Sequence, residues 1–199
     1  MSTNWGGGHA SPSATRLSAG ARQSSLRESN LALVARTVCA SSTPVSRAGV
    51  AARTAMTRST VSRLVDDLVA AGVLAEIEPS SVTGPGRPAT PLAPGTALAA
   101  LGLQVTASYL AARLVDLSGR VVAQRVEYDD LVGCEAAPTL APLGELSRQV
   151  LAEGRGIRLV GAGLALPGIV SSSSGRLLRA PNLGWSDLVP AEHLAEHLA

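Results

Sequence analysis

The 199-residue sequence has no Lys, no Phe, two Trp, two Tyr and two Cys. With so few aromatic rings, any core must be assembled from Leu, Val and Ala. The two cysteines, Cys39 and Cys134, stand far apart without C-x-x-C spacing. This suggests neither a disulfide framework nor a complete metal site, and fits a reducing compartment. No apolar run reaches the roughly 18 residues of a membrane span, and the first twenty residues hold no signal-peptide stretch. These absences lead us to expect a soluble, cytoplasmic protein with no membrane partner, no cofactor and no metal. A composition 46% hydrophobic and 16% charged excludes wholesale disorder.

What is present is unevenly placed. All 17 basic residues are Arg. Residues 1–92 carry nine of them against five acids, whereas residues 93–199 carry eight against ten. Between Arg47 and Arg63 lie four Arg and no acid. Such a cluster suits a polyanion partner; a solvated helix face is the plainer alternative.

Residues 1–26, rich in Ser, Gly, Ala and Thr, read as a disordered tail. From Glu28 to Cys39, Leu31, Val34, Ala35 and Val38 share one helical face, and the chain breaks at Pro44. Ser46 is placed to cap a short helix, RAGVAART, with Val50 and Ala51 inward. After the turn TAM, Thr57 caps RSTVSRLVDDLVAAG, whose Val61, Leu64, Val65 and Leu68 form an apolar stripe ending at Gly72. Two extended segments, VLAEIE and ATPLA, flank the Gly/Pro-rich GPGRP and predict a β-hairpin.

Helix, helix, turn, helix and hairpin is the order of a winged helix-turn-helix, assigned to residues 27–93. On a helical wheel Ser59, Ser62 and Arg63 oppose the apolar stripe, Thr60 flanks them, and Arg58 stands at the helix start. Short hydroxyls bond bases or phosphates, and an Arg fork matches guanine O6 and N7, so these five residues are candidate contacts to double-stranded DNA. The plainer alternative has Arg63 pairing with Asp67 one turn on. Ser46 is a candidate phosphate contact. Arg87, at the Gly/Pro tip, is a candidate for an adjacent minor groove. Ala55 occupies a turn position where glycine is common; a positive φ there would cost about 1 kcal/mol.

Beyond Pro94, ALAALGLQV, SYLAARLVDL and GRVVAQRVEY predict three strands, with a tight turn at Leu117–Arg120. Ala136 to Glu153 has helical spacing interrupted early by Pro142. IRLVGAGLALPGIV predicts a buried strand, GRLLRAPNLGW an extended piece, and SDLVPAEHLAEHLA the start of a helix. This is an α/β pattern. Gly161 and Gly163 lack the rest of a dinucleotide loop, and His193 and His197 lack the Glu of an H-E-x-x-H motif.

RAGVAARTAMTRSTVSRLVDDLVAAGVL with GPGRPATPL, and LGLQVTASYLAARLVDLSGRVV with GAGLALPGIVSSSSGRLLRAPNLGW, together resemble the ROK family of repressors and sugar kinases, in its transcriptional-regulator branch. The resemblance implies a winged helix-turn-helix fused to an actin-like (ribonuclease H-like) lobe, with residues 94–199 supplying the N-terminal part of that lobe. It implies control of carbohydrate genes, a homo-oligomer, and a sugar or sugar-phosphate effector bordered by Gly168, Ile169, Pro181 and Asn182. Kinase members carry a D-x-G-G-T phosphate turn; here Gln104 replaces the Asp, and Thr106 and Ala107 replace the glycines, so an enzyme is not expected. The family's catalytic residues and zinc cluster would follow position 199, and a fragment, a truncated gene product or a degraded paralogue is expected. The sequence therefore predicts a DNA-binding regulator, a repressor by family. The alternatives are a sugar kinase with an N-terminal extension, or a remnant that binds DNA or a homologue without sensing sugar.

Overall fold

The computed structural model describes residues 19–78 and 90–198. Helix α1 (Ala19–Cys39) starts well before Glu28, within the stretch expected to be a tail. Its first turns, AGARQSSLRES, contain good helix formers but no apolar stripe, so periodicity could not find them. The short strand β1 (Val45–Ser46) then leads into α2 (Arg47–Thr54) and α3 (Arg58–Ala70). Strands β2 (Leu74–Glu76) and β3 (Pro91–Pro94) are antiparallel, as the hairpin reading requires. β1 adds to the far side of β3, giving the order β1-β3-β2.

The three helices and this sheet enclose one apolar cluster. Val34 and Val38 of α1, Val50 and Ala51 of α2, and Val61, Leu64, Val65 and Leu68 of α3 are buried with Leu74 and Leu92. Helix α3 ends in a Schellman turn: Val73 N–H donates to the Leu68 carbonyl and Gly72 N–H to that of Val69, with Gly72 at φ +74°. Gly95 then passes so close that a Cβ on it would lie 2.1 Å from the Gly72 carbonyl oxygen. Only glycine allows that approach.

A second apolar cluster follows. Strands β4 (Leu98–Val105), β5 (Tyr109–Asp116) and β6 (Val121–Tyr128) form an antiparallel meander. Helix α4 (Ala136–Glu153) crosses over to β7 (Arg158–Ala165), which runs parallel to β4, giving the order β6-β5-β4-β7. Leu140, Leu143, Leu146 and Val150 of α4 pack on Leu101, Leu103, Leu110, Ala112 and Leu114. That burial carries the helix through Pro142, which was expected to interrupt it. A small antiparallel sheet, β8 (Ile169–Val170), β9 (Leu177–Ala180) and β10 (Trp185–Leu188), precedes α5 (Pro190–Leu198). The segment SDL, expected to begin a helix, is instead strand β10, paired to β9 through Trp185–Ala180 and Leu188–Leu177.

Strand β7 departs from expectation in another way. The sequence predicts a buried strand, yet seven of its eight residues are exposed, with Val160 at 55% relative accessibility. The strand pairs only with β4, and Leu164 is its one half-buried residue, packed against the second cluster.

Candidate nucleic-acid interface

Two capped helices set the geometry of the N-terminal half. The Ser46 hydroxyl accepts from Gly49 N–H at 3.1 Å, holding the first turn of α2. Thr57 Oγ1 accepts from Thr60 N–H at 3.2 Å and does the same for α3. Between them Ala55 turns the chain in the left-handed region, φ 56° and ψ 24°. The positive φ that would strain this position is present, borne by a residue with a Cβ.

On α3 the sequence-selected residues gather on the face away from the core. Arg58, Ser59 and Arg63 are exposed, and Thr60 and Ser62 are half-buried. The Ser59 and Thr60 hydroxyls bond the capping Thr57 hydroxyl at 3.1 and 2.8 Å, forming a small cluster at the helix start. Thr60 and Arg63 also line an open groove against Ser24, Arg27 and Asn30 of α1. Ser46 lies apart from this face, at the start of α2. Arg87 lies outside the described residues.

Ion pairing decides the charge of this face. Asp67 pairs with Arg27 at 2.7 Å, so the alternative Arg63–Asp67 pair is not formed. Asp66 and Glu76 both pair with Arg47, at 2.7 and 2.6 Å. The hydrogen bond to Glu76, opposed by some desolvation and aided by Asp66, raises the Arg47 guanidinium above its ordinary pKa. Every acid between Arg58 and Glu76 is thus neutralised by an Arg from another element. Among the described residues, Arg58 and Arg63 have no ion-pair or hydrogen-bond partner. Sequence reasoning counted Arg47 within the basic cluster and missed this pairing. Its partners lie 19 and 29 residues away, and no spacing rule reaches that far.

The residues expected to border an effector are less convergent. Gly168 packs tightly under β9, where a Cβ would meet the Arg179 carbonyl oxygen at 2.7 Å. Ile169 is 64% exposed in β8, and Pro181 and Asn182 form the turn after β9. None of the four lines the apolar cavity of about 260 Å³ between Leu103, Leu164, Val170 and Leu194. The turn between β4 and β5 is closed on itself. Thr106 Oγ1 accepts from the N–H groups of Ser108 and Tyr109 at 3.2 and 3.0 Å, and Thr106 N–H donates to the Tyr109 carbonyl. Gln104 stands in β4 opposite Ala111. No group of three or more potential metal ligands occurs among the described residues, and no helix among them is long and apolar enough to cross a membrane.

Comparison with known proteins bears on this arrangement. No family model matches the chain. It is 26% identical over 174 residues to a putative xylose repressor of Caldicellulosiruptor sp. (strain Rt8B.4), covering 86% of this chain and 43% of that one. It is likewise 26% identical over 168 residues to the xylose repressor of Caldicellulosiruptor bescii, covering 82% and 41%. A crystal structure of a ROK family transcriptional regulator, a homolog of the E. coli MLC protein, superposes with a TM-score of 0.63 at 20% identity, over 86% of this chain and 43% of that one. The resemblance to the ROK-family regulators is borne out. The ROK likeness spans both apolar clusters, and the chain covers less than half the length of the curated relatives it matches.

Proposed function

We propose that this chain holds the DNA-binding part of a ROK-type transcriptional regulator, a repressor of carbohydrate-related genes. In this reading residues 27–93 are a winged helix-turn-helix and residues 94–199 begin a sugar-kinase-like, actin-like lobe. The observation that carries it is the unneutralised pair Arg58 and Arg63 on the outward face of α3, beside hydroxyls of Ser59, Thr60 and Ser62, where every nearby acid is already paired. A duplex would receive α3 in its major groove. Arg63 and the hydroxyls would face base edges, while Arg58 and the Ser46 hydroxyl would face phosphates. Arg87, in the connection between β2 and β3, would enter the neighbouring minor groove. A homo-oligomer would read two half-sites about one helical turn apart.

A sugar or sugar-phosphate is the effector we propose, received near Gly168, Ile169, Pro181 and Asn182; the relatives' names as xylose repressors support a pentose-like ligand. Phosphoryl transfer is disfavoured by the β4–β5 turn, whose Ser108 and Tyr109 N–H groups are occupied by Thr106 and so are withheld from a phosphate.

The test is titration of folded protein with DNA from its own upstream region at several salt concentrations. Binding that weakens linearly with log salt supports the reading, and absence of binding at low salt sinks it.

A further inference from the structure

Arg47 is the first residue of α2, at the positive end of that helix, where the helix dipole disfavours a cation. Its side chain finds compensation elsewhere. Nη1 donates to the Ser62 carbonyl at 3.0 Å and to Asp66 Oδ1 at 2.7 Å, and Nη2 donates to Glu76 Oε1 at 2.6 Å. One planar fork therefore joins α2, α3 and β2, a task for which an ammonium has the wrong shape. Asp66 follows Arg63 by three positions on α3 and shares its outward face. Left unpaired, its carboxylate would compete for Arg63 along the helix and would repel an approaching phosphate.

We propose that Arg47 is a positioning residue of the DNA-binding face, acting by occupying Asp66 and Glu76 so that Arg63 stays available. Arg47 makes no DNA contact in this account. The proposal rests on the DNA-binding reading above, and it separates Arg47 from the other members of the basic cluster. Two of the four Arg between positions 47 and 63, Arg58 and Arg63, would face the nucleic acid; Arg47 screens; Arg53 bonds the Ser41 hydroxyl.

The experiment compares the wild type, Arg47→Ala, Arg47→Ala with Asp66→Asn and Glu76→Gln, and the Asp66→Asn/Glu76→Gln pair alone. Each is titrated with the same operator DNA at about 0.1 M salt, after thermal unfolding has shown it to be folded. Arg47→Ala should weaken binding about tenfold or more, because two bare carboxylates then lie within a Debye length of the phosphates. The triple variant should recover most of that loss although Arg47 is still absent. The pair alone, with Arg47 intact, should bind at least as well as wild type. Should Arg47→Ala fail to fold, the other two variants still decide. A triple variant about tenfold weaker than wild type, or a pair variant that loses binding, overturns the proposal. Wild-type protein that binds no DNA removes the underlying reading as well, which keeps the two failures distinct.

Discussion

The two apolar clusters of this chain differ in how completely they are closed. Around α3, burial follows the sequence stripe: Val61, Leu64, Val65 and Leu68 are inside, and the polar residues between them face out. In the four-stranded sheet, β4 alternates as a half-buried strand should, while its neighbour β7, RLVGAGLA, is exposed along nearly its whole length. The near-continuous apolar run of β7 is the pattern of a parallel strand covered on both faces. Its pattern is thus satisfied by its sequence neighbours in name only, whereas that of α3 is satisfied in fact. The lesson is that periodicity specifies what a segment requires, and only tertiary contacts determine whether the requirement is met.

This contrast can be tested by mutation. Leu64→Ala, in the closed cluster, should cost about 3 kcal/mol in a denaturant titration. Val160→Ala on β7 should cost about 0.5 kcal/mol or less in the same assay. Equal effects would remove the distinction between the two regions.

An effect between these two concerns Asp116, whose side chain is fully buried at the end of β5. Burial alone would raise its pKa, but hydrogen bonds from Ser118 and Arg120 more than offset this and leave it below the ordinary carboxylate value. A pKa depressed in the folded state gives stability that is present above the unfolded value of about 3.9 and is lost as pH falls through the folded value. Asp116→Ala should cost about 2 kcal/mol at neutral pH and flatten that acid limb, as followed by unfolding across pH. One expected change is a gain. Ala55→Gly relieves a left-handed φ of 56° and should stabilise the N-terminal half by up to about 1 kcal/mol, read as a rise in midpoint.

The parts legible in the sequence were those governed by local rules. The bounds of α2, the start of α3 and its cap, the glycine that ends it, the β4–β5–β6 meander and the limits of α4 all follow from caps, turns and periodicity within a few residues. Strand β1 escaped because two residues carry no pattern; it exists only through pairing with Leu92 and Pro91. Pro142 misled because the packing of α4 outweighs one missing hydrogen bond. Of the candidate interface, the outward residues of α3 were legible from the wheel. The pairing of Asp67 with Arg27 and of Asp66 and Glu76 with Arg47 was not, because it joins residues 19 to 40 positions apart.

The outward face of α3 is proposed to read DNA sequence through Arg63. The most direct measurement compares wild type and Arg63→Ala across a panel of single-base operator variants at fixed salt. Arg63→Ala should lose about 1–3 kcal/mol of discrimination at one base pair and keep it elsewhere. A uniform loss at every variant, or none at all, would contradict it.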